Sequence, residues 1–289
     1  MSEMFWGCYE LENIYIDAFD TTSATELEMM FDGCINLDIS RIPFVGNRGS
    51  SNAMKANDEP YRPWIFDLAN PGDILSIQFA SSLNGAPMDA LDASQTGDRS
   101  VLAWAVPSGK GKKIIIAADG KIQAPADCSY LFAYCENLTS IQFNGCLDTS
   151  RVTDMSGMFY CCESLEELDV TSFDTGNVTN MADMFNSCGA LTRLDLSSFD
   201  TRRVTIMGGM FSGCHKLEYL DLSGFDTSHV TNMDCMFQCC DELSTVKIGV
   251  LDMQSVERAD SIFSGCPKLD VESLPIINPS YPITNPDYF

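Results

Sequence analysis

The chain has 289 residues, room for one or two domains, and 45% of them are apolar, enough to bury a core and too many for a disordered polymer. Its formal net charge is −24, from 41 acidic and 17 basic residues, so phosphate backbones and anionic lipid surfaces would repel it and no nucleic-acid partner is expected. No apolar run is long enough to form a spanning helix, and direct membrane insertion is not expected either.

Met1 to Trp6 has neither a basic segment nor an apolar stretch, so it does not read as a signal peptide. Cys8 and Cys34 are separated by the same interval as Leu11 and Leu37, and Phe19-Asp20-Thr21 and Met30-Phe31 fall between them. Residues 1–42 therefore read as a partial repeat segment. Roughly three units are needed for a stable stack, so this piece requires a partner surface. Residues 43–60, rich in Gly, Ser, Asn and Pro, read as a linker. Within them, Ser51-Asn52-Ala53-Met54 has the form of a scar left by a cleaved affinity tag.

Residues 61–127 lack the repeat and read as a β-rich capping module. Leu75 to Phe79 alternates as a half-buried strand, and Val101–Val106 and Lys113–Ala118 are apolar runs of strand length. Asp119-Gly120, between Ile116 and Ile122, is a strong hairpin signal. Gly109-Lys110-Gly111-Lys112-Lys113 lacks the phosphate-loop frame and reads as a basic hairpin turn.

From 128 to 270 the pattern is periodic. Cys162, Cys188, Cys214, Cys240 and Cys266 recur with a constant 26-residue period, the interval already seen between Cys8 and Cys34. Each is followed, three places on, by Leu165, Leu191, Leu217, Leu243 or Leu269. The unit reads L-x-x-L-D-L-S-x-F-D-T-x-x-V-T-x-M-x-x-M-F-x-x-C-x-x, and a fixed period in this range means stacked units. L-x-x-L-D-L predicts a short strand with Leu168/Val170, Leu194/Leu196 and Leu220/Leu222 inward. V-T-x-M-x-x-M-F predicts a helical or 3-10 return turn. Stacking would turn each position into a column: Phe173, Phe199 and Phe225; Met184, Met210 and Met236; and the cysteines, read as small buried hydrophobes. Residues 271–289, with Pro275, Pro279, Pro282 and Pro286, read as an extended tail that covers the last unit or leads on to a further domain.

These columns resemble the BspA-like leucine-rich-repeat surface proteins of bacteria, over Tyr130 to Leu269 and again over Met1 to about Ile39, as a variant with 26-residue units. The resemblance implies a leucine-rich-repeat solenoid of the α/β type, with short parallel strands and a small β-rich N-terminal cap. It also implies a cell-surface or secreted protein used in adhesion. The usual Asn after the strand is replaced by Phe173, Phe199 or Phe225, so an Asn ladder is not available.

Chemistry is sparse. His215 follows Cys214, but the cysteine falls in the buried column and the histidine at a loosely specified surface position. Cys235, Cys239 and Cys240 lack a second pair at zinc spacing. No catalytic residues, metal ligands or cofactors are assigned, and the chain reads as non-enzymatic. The Asp column, Asp148, Asp174, Asp200, Asp226 and Asp252, fits capping of turn N–H groups, or alternatively calcium. The candidate ligand surface is the outward strand face, with Glu167, Asp169, Arg193, Asp195, Tyr219, Asp221 and Lys247. The expected partner is a host or extracellular-matrix protein or glycan; a structural spacer within a larger surface protein is the alternative.

Overall fold

Backbone polarity shapes the architecture more than any single side chain does. The computed structural model describes residues 64–95 and 97–278 and two short strands nearer the N-terminus. The chain divides into two units, one of Met1–Ser51 with Asn57–Tyr61, the other of Asn52–Ala56 with Arg62–Phe289. In the first unit, β1 (Phe19–Asp20) runs parallel to β2 (Phe44–Val45), with Phe19 opposite Phe44. Phe44 and Val45 thus belong to a strand, where the sequence reading placed a linker. The other readings for residues 1–63 lie outside the described residues.

The second unit opens with β3 (Ile74–Ala80), β4 (Leu91–Asp92), β5 (Val101–Ser108), β6 (Gly111–Ala118) and β7 (Ile122–Gln123). Next come β8 (Ser140–Gln142), β9 (Leu147–Asp148), β10 (Glu167–Leu168), β11 (Tyr219–Leu222), β12 (Thr245–Ile248), β13 (Leu251–Asp252) and β14 (Ile276–Ile277). A six-stranded sheet has the order β10-β8-β3-β6-β5-β4. β5 and β6 form an antiparallel hairpin that turns at Gly109-Lys110, as the basic-turn reading expects. Asp119-Gly120 makes no hairpin. Instead Gly120 donates its N–H to Ser81 O, and β7 pairs in parallel with β9, with Ile122 opposite Leu147. β3 lies parallel to β8, with Ile77 opposite Ile141, so this module and the repeats share one sheet. A register shift between Ile74 and Ser76 lets Ile74, Ile77 and Phe79 all turn inward, while Leu75 does not.

Past residue 126 the chain stacks 26-residue rungs along parallel ladders. One ladder links the strand segments, as in the pairing of Tyr219 to Leu222 with Thr245 to Ile248. Another steps through Asp127, Asp154, Asn180, Ile206, Asn232 and Arg258. The Leu191–Leu196 segment packs its leucines inward without strand pairing of its own.

The return segments are not helical; among the described residues they form successive turns. Met158 N–H bonds Met155 O and Cys162 N–H bonds Phe159 O, while Met155, Gly157, Phe159 and Cys161 donate to Asn180, Ala182, Met184 and Asn186 of the next rung. Left-handed residues cause this alternation. Gly157, Asp183, Gly209, Cys235 and Ser261 share one column at positive φ, and Cys161, Ser187, Gly213, Cys239 and Gly265 share a second. A left-handed residue at the third place of a turn is the type II arrangement. It stops a helix from propagating and turns alternate N–H groups towards the neighbouring rung.

Side chains complete the stack. Leu165, Leu168, Val170, Phe173, Val178, Met181, Met184, Phe185 and Cys188 are all buried, a pattern repeated from rung to rung. Rings of Phe132, Phe159, Phe185, Phe211, Phe237 and Phe263 stack with centroids 5.3–5.8 Å apart. Thr149, Thr175, Thr201 and Thr227 form a second, polar column. The Thr201 hydroxyl accepts the Asp226 N–H at 2.8 Å and donates to the Asp226 carbonyl at 3.0 Å. Each threonine treats the next rung in the same way, doing the job an Asn ladder would do.

Two substitutions separate these contributions. Phe211→Ala opens a cavity between two stacked rings, and urea unfolding should show a loss of about 3–5 kcal/mol; a loss below about 1 kcal/mol would mean that the ring is not packed as described. Thr201→Val keeps the volume but leaves a half-buried N–H and carbonyl without their partner, and should cost roughly 1–3 kcal/mol. Thr205→Val, which removes one more exposed bond to Thr179 O, should cost less than Thr201→Val.

Candidate ligand surface

Glu167, Tyr219, Asp221 and Lys247 lie in paired strands, whereas Asp169, Arg193 and Asp195 sit at the equivalent positions of their rungs outside any strand. Inward Leu168, Leu194, Leu196, Leu220 and Leu222 are buried, so alternation places their neighbours outward. Along this face the first outward position of each rung varies: Glu167, Arg193, Tyr219 and Thr245. The second holds Asp169, Asp195, Asp221 and Lys247.

Charges pair across rungs. Arg193 meets Glu167 at 3.4 Å, and Lys247 meets Asp221 at 2.8 Å. The Tyr219 hydroxyl donates to Asp221 Oδ2 at 3.2 Å, and the residue stays 49% exposed, a large side chain left facing solvent. Arg193 and Tyr219 occupy the same position on successive rungs. Such exposed ion pairs contribute about 0–1 kcal/mol each, too little to explain the fold.

The aspartates of this face have local work. Asp169 accepts the Thr171 N–H at 3.0 Å, Asp195 that of Ser197 at 3.0 Å, and Asp221 that of Ser223 at 2.9 Å. The second Asp column behaves likewise. Asp148, Asp174, Asp200, Asp226 and Asp252 accept the N–H two residues on, from Ser150, Gly176, Arg202, Ser228 and Gln254. The capping reading describes this geometry. Among the described residues no group of three or more His, Cys, Asp or Glu is placed to hold a metal.

Hydrogen bonding holds several of these carboxyls below their usual range: Thr171 for Asp169, Ser197 for Asp195, Ser150 for Asp148 and Ser228 for Asp226. The Arg202 side chain brings Asp200 to about 2, and the Lys247 ammonium holds Asp221 well down.

Cys214 and His215 do not meet. Cys214 is buried and its thiol donates to Phe185 O at 3.3 Å, whereas His215 is exposed and its Nδ1 lies 2.9 Å from Asp241 Oδ2. The whole column repeats this bond, from Cys162 to Phe132 O, Cys188 to Phe159 O, Cys240 to Phe211 O and Cys266 to Phe237 O. A buried thiol therefore also serves a carbonyl, which a plain hydrophobe could not. Burial pushes the Cys214 thiol up to about 12 and those of Cys162 and Cys188 well above their ordinary value, which suits packing and opposes nucleophilic use. No disulfide joins the eleven described cysteines.

Two features of the stack follow from the period. Opposite charges one full period apart forecast the cross-rung pairs, including Lys268 with Glu242. The Thr column of the D-T step forecasts the polar ladder.

A family model described as "Mycoplasma protein of unknown function, DUF285" matches residues 1–43, 126–245 and 168–274, together more than half of the chain. The chain belongs to this family. DUF285 coverage includes the first-unit strand Phe19–Asp20 and every rung of the second unit, while β3 to β7 fall outside it. No curated protein and no solved structure matches. Among the described residues no helix is long and apolar enough to cross a membrane.

Because Asp148, Asp169, Asp195, Asp200, Asp221 and Asp226 titrate below their unfolded value near 3.9, their contribution is present above about pH 4 and is lost as pH falls through their folded pKa values. Thermal midpoints should therefore drop between about pH 4 and pH 2. A midpoint that rises instead would mean that repulsion along the Asp columns, relieved by protonation, outweighs the caps.

Proposed function

We propose that the chain is a non-enzymatic recognition module of a bacterial surface protein, a leucine-rich-repeat solenoid that binds a host or matrix protein or glycan through its outward strand face. The observation that carries this reading is Tyr219, half exposed between the Arg193–Glu167 and Lys247–Asp221 pairs. Tyrosine and arginine are enriched where binding energy concentrates. The variation at Glu167, Arg193, Tyr219 and Thr245 supports recognition, since a stack needs no such variety at outward positions. The resemblance to BspA-like surface proteins supports the cell-surface location and the adhesive role, and the surrounding carboxylates favour a polar or cationic partner.

The spacer reading draws on a different observation. Asp169, Asp195 and Asp221 repeat uniformly and each caps its own turn, as structural positions would. On the recognition reading these aspartates hold the backbone, while Glu167, Arg193, Tyr219 and Lys247 meet the partner.

Arg193→Ala combined with Tyr219→Ala separates the two. Adhesion to immobilised matrix proteins and arrayed glycans should fall at least about tenfold, with the unfolding midpoint nearly unchanged, as for ordinary surface changes. Undiminished adhesion would move binding off this face. No adhesion by the unaltered chain to any surface tested would favour the spacer.

A further inference from the structure

The rung that holds β8 and β9 departs from the repeat between Ile141 and Asp148. Asp148 follows Leu138 by ten residues, whereas Asp174 follows Leu165 and Asp200 follows Leu191 by nine. Ile141 and Leu168 are in register, so the surplus residue falls after Ile141. There the chain makes a tight turn, Phe143-Asn144-Gly145-Cys146, closed by the Cys146 N–H on Phe143 O at 2.8 Å. Both central residues are left-handed, Asn144 at φ 53° and Gly145 at φ 65°, which is the type I′ arrangement. The corresponding turns of the next two rungs, centred on Thr171-Ser172 and Ser197-Ser198, hold no left-handed residue. Those rungs stack without such a turn, so stacking does not require it.

The turn forms one wall of a cavity of about 360 Å³. The other walls are the end of β3 from Gln78 to Ala80 and the loop residues Ser81, Ser82 and Asn84. Hydrogen bonds fix each wall. Asn144 Nδ2 donates to Phe79 O at 2.9 Å and ties the turn to β3. Ser81 O accepts the Gly120 N–H at 3.2 Å, and Asp119 Oδ1 accepts the Leu83 N–H at 3.0 Å, so Asp119-Gly120 holds the loop from behind. Ser82 Oγ accepts the Asn84 N–H at 3.2 Å. A site held in this way binds with little loss of conformational freedom.

The lining offers amides and hydroxyls and no charged side chain. In a chain of net charge −24 this is selective. Anions are repelled by the molecule as a whole, and a cation meets no carboxylate in these walls. The volume lies at the low end for small-molecule sites, about 300–1,000 Å³. A pyranose, with hydroxyls around its rim and C–H groups on its face, matches a small, uncharged, amide-lined cavity with Ala80 in its wall. We propose that this cavity binds one neutral sugar ring, whose hydroxyls bond the Gln78 and Asn84 amides, the Asn144 amide oxygen and the Ser81 hydroxyl. The site shares no residue with the Glu167 to Lys247 surface and does not rest on a role for it. Gln78 to Asn84 also lie outside the residues that the family model matches, so most of the site belongs to the cap and not to the shared repeat.

Nuclear magnetic resonance titration of the isotope-labelled whole chain with methyl glucoside, methyl galactoside and N-acetylglucosamine, each in turn, tests the proposal. N-acetylneuraminic acid serves as the charged comparison. At least one neutral sugar should give saturable shifts at the side-chain amides of Gln78, Asn84 and Asn144. Asn84→Asp puts a carboxylate in place of an exposed amide of the same size. It should weaken that binding at least about tenfold, the scale of one lost hydrogen bond, and leave the unfolding midpoint nearly unchanged. Gln78→Glu should do the same from β3. Arg193→Ala with Tyr219→Ala should leave the shifts as they are; their loss in that variant would place the sugar on the outward strand face and overturn the proposal. An absence of saturable shifts with all three neutral sugars would also overturn it. So would tighter binding of N-acetylneuraminic acid, or neutral-sugar binding undiminished in both amide variants.

Discussion

Every rung of this protein is chemically incomplete alone. A 26-residue coil carries N–H groups directed at one neighbour and carbonyls directed at the other, and only a second coil in register can satisfy them. The side-chain columns follow from that requirement. Once the backbone fixes the register, each position meets its own equivalent, so a residue that packs well beside itself is favoured. Phenylalanine stacks on phenylalanine, methionine fills the same gap each time, and threonine bridges to the next rung's aspartate.

The same requirement explains the cost the chain accepts at the return turns. Left-handed backbone is unfavourable for residues other than glycine, by roughly 1–3 kcal/mol each. Asp183, Ser187, Cys235, Cys239 and Ser261 adopt it nonetheless. Each such residue directs a neighbouring N–H along the stack, where it finds a carbonyl, instead of back into its own turn. The bonds so gained recur at every interface and offset the local strain.

Much of the core was legible because period and chemistry agree: Leu165, Phe173, Met184 and Cys188 recur at one spacing and are all buried. For V-T-x-M-x-x-M-F, expected to form a helical or 3-10 return turn, the chain forms successive turns, and the reason is physical. Apolar spacing of three and four residues is shared by helices and by successive tight turns, and the deciding left-handed positions hold Asp, Ser and Cys as well as Gly. Asp119-Gly120 misled in a different way. Its hairpin signal is local, whereas Ile122 pairs with a residue far along the chain, which no dipeptide can encode. The outward face was located by alternation alone. The partners of its charges became visible only once Glu167 and Arg193 were seen to sit on adjoining rungs.

The hydrogen bonds that join the rungs lie along the direction in which the rungs are stacked. A force applied between the two ends of such an array loads one interface at a time and peels it open, unlike a sheet pulled along its strands, where many bonds must shear together. Nearest-neighbour coupling means that one rung can detach while those behind it hold. Under tension the protein would lengthen stepwise, releasing a coil of chain at each step. The array would thus act as an extensible tether that dissipates load gradually and re-forms from its remaining end when the load is removed.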